Sequence, residues 1–226
     1  MIKRETFFQS IADKMGRERR SSVQPPARFS APRKSVSYTD HELIHTFTER
    51  ATALKIDVHP CTYDTLANHL TNIVKREGSQ SIISWGDEQD DTSFIRYTAA
   101  ETGAYLTCWD KNKDEQSLRT AASAADIGIT FADFGIAESG TLIITNGCSL
   151  GRLVSLLPPV YVAVLSVKHI IPHLSEAMKL MDKQNNEDNL PACINFISGP
   201  STTGDLQAEM ALGVHGPGSV YVLLVS

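Results

Sequence analysis

From Tyr38 onward, short apolar runs alternate with amphipathic stretches, and this alternation constrains the fold more than any other feature of the chain. Asp40 can cap a helix running to about Leu54, with Leu43, Ile44, Phe47 and Ala51 on one face. A short strand at Lys55–Val58 ends at Pro60. A second helix opens at Thr62 or Asp64, carries Leu66, Leu70, Ile73 and Val74, and stops at Gly78. Ser81–Trp85, Ala104–Trp109 and Asp126–Phe131 read as strands, with helices at Phe94–Glu101 and Gln116–Ala125 between them. Strands covered on both faces are apolar throughout, and helical crossovers join strands that run parallel. The expected fold is α/β: three layers, a parallel-rich sheet with helices on both faces.

The pattern then changes. Thr141–Thr145, Arg152–Leu156 and Tyr161–Leu165 read as strands, with tight turns at Asn146-Gly147 and Pro158-Pro159. Asn-Gly between apolar runs is a hairpin signal, so an antiparallel hairpin portion joins the parallel sheet. Val167–Met181 predicts a helix around Pro172, and Asp182–Asn189 a polar loop. Cys193–Ile197 predicts a strand, Thr203–Leu212 a helix ended by Gly213, and Ser219–Val225 a last strand.

Ahead of this body lies a different segment. Residues 3–20 place Phe7, Phe8, Ile11 and Met15 at helical spacing, and residues 21–37 hold Pro25, Pro26 and Pro32 among serines, as a linker would. The domain organisation expected is a helical arm and linker over 1–37 and a single α/β domain over 38–226. Residues 1–34 contain nine basic and three acidic side chains, a balance of +6. The whole chain stands at −5, so the rest carries −11. A basic arm on an acidic body suggests docking on an acidic protein partner, or on a second copy in a homo-oligomer. The acidic body and the lack of an aromatic-plus-basic platform argue against nucleic acid. No apolar run approaches the ~18 residues of a membrane span, and the first residues lack the apolar core of a secretory signal. The expected location is the cytoplasm.

Cys61, Cys108, Cys148 and Cys193 lie more than thirty residues apart, whereas zinc and iron–sulfur sites show close pairs. They read as small core residues, with Cys148 near a hairpin tip. His169 and His173 are four apart, but Pro172 lies between them and no third ligand is near, so no metal site is expected.

Three segments read as ligand loops at strand ends: 133–141, 151–159 and 198–205. In the first, Asp133 and Glu138 bracket Gly135, with Ser139 and Gly140 following. Glu138 is a candidate nucleophile or general base with Asp133 tuning it, since neighbouring carboxylates raise one another's pKa. The bland alternative is that either carboxylate bonds turn amides. In the second, Arg152 is an isolated charge that can hold a carboxylate bidentately or pair with Glu138 or Asp133. In the third, Ser198, Gly199, Ser201, Thr202, Thr203 and Asp205 lead into the expected helix, where amides and hydroxyls could bind an anion or form a plain cap. His215, in a Gly/Pro turn before the last strand, is a candidate proton shuttle or a loop-closing residue.

Four blocks in order then carry a resemblance: 128–141 (Gly-Ile-Thr-Phe-Ala-Asp-Phe-Gly-Ile-Ala-Glu-Ser-Gly-Thr), 151–159 (Gly-Arg-Leu-Val-Ser-Leu-Leu-Pro-Pro), 197–205 (Ile-Ser-Gly-Pro-Ser-Thr-Thr-Gly-Asp) and 212–217 (Leu-Gly-Val-His-Gly-Pro). Together they resemble the lactate utilization protein C family, built on the LUD domain. The resemblance implies a bacterial cytoplasmic protein required for growth on L-lactate. It also implies two iron–sulfur partner proteins that hold the clusters this chain's cysteine spacing does not provide, so the chain itself carries no cofactor. It implies a fold similar to ribose-phosphate isomerases, glucosamine-phosphate deaminases and CoA transferases, in which Ala137-Glu138-Ser139-Gly140 looks like the turn bearing a transferase's nucleophilic glutamate. Three roles follow: an accessory subunit of L-lactate oxidation that binds a small carboxylate or docks on the redox partners, a stand-alone acyl- or CoA-transferring enzyme using Glu138, or a pure assembly subunit.

Overall fold

The computed structural model describes residues 4–19, 38–86, 92–110, 112–147, 150–184, 191–204 and 210–226. The chain divides into two units, Met1–Ser37 and Tyr38–Ser226. In the first, helix α1 (Arg4–Lys14) is shorter than the 3–20 expected and ends before Met15, and Phe7, Phe8, Ile11 and Met15 are all exposed.

The second unit opens with α2 (Asp40–Ala53), β1 (Ile56–Cys61), α3 (Tyr63–Glu77), β2 (Ser81–Trp85), α4 (Ser93–Thr102), β3 (Tyr105–Trp109), α5 (Glu115–Ala124) and β4 (Ile127–Phe131). The hairpin β5 (Phe134–Ile136) and β6 (Thr141–Asn146) follows, then α6 (Leu153–Leu156), β7 (Val160–Ser166), a 3-10 turn, β8 (Ile170–Ile171) and α7 (Leu174–Gln184). The last elements are β9 (Cys193–Ile197), β10 (Thr202–Gly204), β11 (Met210–Leu212) and β12 (Ser219–Val225). Local signals explain the ends. The α2 cap is Thr39 rather than Asp40: Thr39 and Glu42 satisfy each other's backbone in a reciprocal capping box. Gly78, at φ +63, closes α3 in the left-handed conformation.

Six strands form one sheet in the order β1-β12-β7-β4-β2-β3, all parallel. Alternate residues feed opposite faces. On β7, Val160, Val162 and Val164 meet Leu66, Leu70 and Ile73 of α3 and Phe94 and Ile95 of α4. Tyr161, Ala163 and Leu165 face the other way, into a core shared with Phe47 of α2, Ala122 of α5 and Val154 of α6. Fully burying one such Leu or Ile stabilises by about 1.5–3 kcal/mol. Gly128 is where this second face is tightest, since a Cβ there would drive into the Val154 carbonyl of α6.

A second sheet, ordered β8-β5-β6-β9, lies over that face through Leu142 and Ile144. Its outer side is covered by α7, whose Ala177 and Met181 meet Phe134, Ile136 and Ile143. The architecture is the expected α/β one, with a mostly parallel sheet, helices on both faces and an antiparallel portion.

Five local expectations are corrected. Leu153–Leu156 form a short helix where a strand over 152–156 was expected, because the chain must travel back along the sheet from Gly151 to the start of β7. Asn146-Gly147 therefore does not link two strands of a hairpin; β6 pairs with β5 and β9 instead. The helix over 167–181 is split. Pro172 lacks an N–H and disfavours helix in the residue before it, so Ile170–Ile171 pair with β5 and α7 starts after His173. Finally, where a helix over Thr203–Leu212 was expected, Thr202–Gly204 and Met210–Leu212 pair as the strands β10 and β11, with Thr202 opposite Leu212. Pro60 does not end β1 either, because β1 is an edge strand and an edge tolerates the missing donor.

Candidate functional site

The hairpin β5–β6 turns through Ala137, Glu138, Ser139 and Gly140, with Gly140 at φ +66 donating to the Ile136 carbonyl at 2.8 Å. Glu138 projects to the start of α7. One carboxylate oxygen lies 2.8 Å from His173 Nδ1, and the other accepts from the Leu174 amide at 3.2 Å. The carboxylate thus satisfies the first orphan amide of α7 and complements its dipole. Tyr38 sets its ring edge against His173, with centroids 6.1 Å apart. Both Glu138 oxygens are engaged, so the geometry makes this residue a fastener between hairpin and helix. His169 and His173 share no helix: His169 stands in the 3-10 turn beside the Phe134 ring.

Ser139 Oγ donates to Thr141 Oγ1 at 2.8 Å, and Thr141 Oγ1 lies 2.9 Å from Ser198 Oγ, joining the first and third expected loops. The glycines of these loops are explained by packing. A Cβ on Gly140 would lie 2.6 Å from the Arg50 carbonyl carbon and 2.8 Å from the Ala51 Cα of α2. One on Gly199, at φ +111, would strike the Leu54 carbonyl, and one on Gly135 would meet Leu165 and Phe47.

The third loop is not a helix start. Thr202 and Thr203 lie on β10, and Thr202 Oγ1 donates to the Pro200 carbonyl at 3.1 Å. The expected cradle of helix amides at 201–205 is therefore absent among the described residues; Asp205, like Cys148, lies outside them. Ser201 instead ties two loops together. Its amide donates to the Pro217 carbonyl and its carbonyl accepts from the Gly213 amide, each at 2.8 Å. The His215 amide reaches Ser201 Oγ at 3.4 Å, and the residue is exposed.

These residues gather at one end of the main sheet. Gly199 rests on Leu54, just ahead of β1, and the Gly218 amide donates to the Pro159 carbonyl just ahead of β12 and β7. Asp133 and Arg152 sit at the other end. Asp133 follows β4 and is separated from Glu138 by the whole of β5, on the order of 15 Å of extended chain. The two carboxylates therefore do not tune each other. Burial pushes the Asp133 carboxyl above the ordinary carboxylate range, while the Thr145 amide, at 2.6 Å, and the nearby His169 pull it back. Near it the Tyr161 hydroxyl, fully buried, bonds Thr130 Oγ1 at 2.7 Å.

Arg152 is exposed and makes no ion pair among the described residues, so it pairs with neither Glu138 nor Asp133. Its neighbour Gly151 is clamped. Trp85 Nε1 donates to the Gly151 carbonyl at 3.0 Å, and a Cβ on Gly151 would enter the Trp109 indole. Trp85 and Trp109 end β2 and β3, so Arg152 is held at the C-terminal ends of the parallel strands. The only two tryptophans of the chain, at the ends of consecutive strand-like runs, were the sequence signal for this clamp. Nothing in the sequence signalled His173 as the partner of Glu138. Cys61, Cys108 and Cys193 are free thiols, and burial pushes Cys61 up to about 11. Among the described residues no group of three or more His, Cys, Asp or Glu side chains could hold a metal ion, and no helix is long and apolar enough to cross a membrane.

Known proteins share this architecture. A family model described as the LUD domain matches residues 44–225. Lactate utilization protein C of Halalkalibacterium halodurans is 35% identical over 223 residues, which span 95% of this chain and 94% of that protein. The protein of the same name from Bacillus subtilis is 30% identical over 231 residues, spanning 98% of this chain and 95% of that protein. A crystal structure of a duf162 family protein from Deinococcus radiodurans, 18% identical, superposes with a TM-score of 0.62 over 84% of this chain and all of that one, and shares its fold.

Proposed function

The chain belongs to the LUD domain family, and on that premise we propose that it serves bacterial use of lactate, in the degradation of L-lactate to pyruvate that supports growth on lactate as carbon source. The observation that carries this reading is the 35% identity to a lactate utilization protein C over 95% of one chain and 94% of the other. Identity spread over whole chains supports a common role better than a shared motif does, since fold alone does not fix function.

Oxidising lactate to pyruvate removes two electrons and two protons. The wide cysteine spacing offers no iron–sulfur motif. We assign electron transfer to iron–sulfur partner proteins in the cytoplasm, and to this chain the binding of a small carboxylate and contact with those partners. The test is a deletion strain grown on L-lactate or on glucose as sole carbon source. Loss of growth on L-lactate alone, restored by the intact gene, supports the role; normal growth on L-lactate removes it. Affinity capture from lactate-grown cells addresses the partners, and a captured complex without iron–sulfur absorbance would remove that assignment.

A further inference from the structure

The connections of the main sheet divide between its faces. The chain leaves β2 for α4, whose Phe94 and Ile95 pack with α3 on one face. It leaves β4 for the hairpin and α6, whose Leu142 and Val154 pack on the other. β2 and β4 are neighbours in the sheet. Adjacent parallel strands whose outgoing connections part to opposite faces open a crevice at their C-terminal ends, and ligands of open α/β sheets bind in such crevices.

Three observations give this crevice chemistry. Phe94, in the first turn of α4, meets Phe131, the last residue of β4, edge to face at 6.3 Å, so the start of α4 stands over the strand ends. Thr92, the residue that caps α4, is 3% exposed, and its hydroxyl oxygen has no hydrogen-bond partner. Its backbone, at φ −92 and ψ 7, is not extended as in an ordinary cap, and the side chain makes no bond to its own helix. A buried hydroxyl left unbonded is uncommon in folded proteins. On the other side of β2, the clamp on Gly151 fixes Arg152, exposed and without an ion pair among the described residues.

We propose that the crevice over the C-terminal ends of β2 and β4 binds a small carboxylate, with Thr92 and the start of α4 on one side and Arg152 on the other. A guanidinium takes a carboxylate through two parallel hydrogen bonds. The Thr92 hydroxyl and the positive end of α4 suit a further oxygen of the same ligand. A 2-hydroxy or 2-oxo acid carries both groups on adjacent carbons. That choice of ligand rests on the function proposed above; the position of the site does not.

The full-length protein is titrated with L-lactate, pyruvate and inorganic phosphate by calorimetry, alongside Thr92→Val and Arg152→Lys. Valine matches threonine in shape and removes a group that bonds nothing, so Thr92→Val should melt with the native protein. Lysine keeps the charge and loses the fork. The result expected is millimolar or tighter binding of L-lactate or pyruvate, weakened roughly tenfold or more by each variant, as the loss of a hydrogen bond to a charged group implies. Binding of phosphate in preference to both acids, no binding of either acid, or unchanged affinity in both variants would overturn the proposal. A deletion strain that grows normally on L-lactate, with the purified chain still binding pyruvate through Thr92 and Arg152, would remove the lactate role and keep the site. Loss of growth together with no binding would do the reverse.

Discussion

Replacing Gly140 with alanine separates two demands that a glycine can meet. Gly140 and Gly78 have nearly the same backbone, at φ +66 and φ +63. Around Gly78 nothing lies within 4 Å of where a Cβ would stand, whereas at Gly140 that Cβ would press on the backbone of Arg50 and Ala51 in α2. Left-handed backbone alone costs an alanine about 1–2 kcal/mol, and that is the whole expectation for Gly78→Ala. Gly140→Ala adds overpacking against a helix backbone that cannot rotate away, about 1–3 kcal/mol more. In a domain of this size each kcal/mol lowers Tm by about 2–4 °C. Gly78→Ala should thus melt on the order of 4 °C below the native protein and Gly140→Ala on the order of 10 °C below it. Urea unfolding followed by circular dichroism measures both, and the difference between them isolates the packing. Equal losses in the two variants would refute the account of the 137–140 turn as a close contact with α2, and would return Gly140 to the ligand-binding role expected from the sequence.

Further outcomes follow from the same geometry. The Asp133 carboxyl is raised in the folded state, so the native protein holds that proton more tightly than the unfolded chain. Stability from this group is present below the ordinary value of 3.8 and lost as pH rises through the raised one. Asp133→Asn should therefore gain stability relative to the native protein as pH climbs from 4 to neutrality, and parallel stability curves would contradict the burial argument. Glu138→Ala should leave the body folded but fray the start of α7, by about 1 kcal/mol as for a lost cap, read as faster amide exchange over residues 174–177; unchanged exchange would remove Glu138 as the fastener. All three hydrophobic clusters lie in 38–226, so that segment expressed alone should melt close to the full chain, and a large drop in Tm would show that the arm contributes to stability. If the proposed iron–sulfur partners are captured, deleting the arm should abolish that salt-sensitive capture, and capture that persists without it would place the contact on the body.

The fold class was legible because parallel strands declare themselves. Ile82 and Ile83, and Val160 to Leu165, are apolar on both faces, and Gly78 ends the helix ahead of the first of these runs. What was not legible depends on partners distant in the chain. The expected helix over 203–212 rested on composition, yet both of its described ends, Thr203–Gly204 and Met210–Leu212, are strand residues that pair with each other. Residues 152–156 are apolar enough for a strand, yet Leu153–Leu156 coil with the Val154 carbonyl seated against Gly128 of β4, a contact distant in the chain. The candidate residues were found in part. Ser139 and Ser198 do meet, through Thr141, while Glu138 turns to His173 and Leu174. The sequence could not show that Asp133 and Arg152 belong to the opposite end of the sheet, because that depends on which way β5 runs. Thr92, an ordinary threonine before a helix, became notable only when its hydroxyl proved unbonded in the structure.

Strand β1 has one neighbour in its sheet, and that neighbour is β12. Ile56 pairs with Val220, 164 residues later. A ribosome adding about 5–20 residues per second leaves roughly 8–30 s between the two strands, during which β1 has been made and its only ladder partner has not. The nascent chain therefore carries an unfinished sheet edge while those 164 residues are made. Pro60 interrupts that edge, and Asp57 and His59 make it polar, which suits a strand that must wait without recruiting a stranger. Replacing Pro60 with valine would leave the finished protein nearly unchanged and make its birth hazardous, a defect visible as lost yield during expression at high temperature.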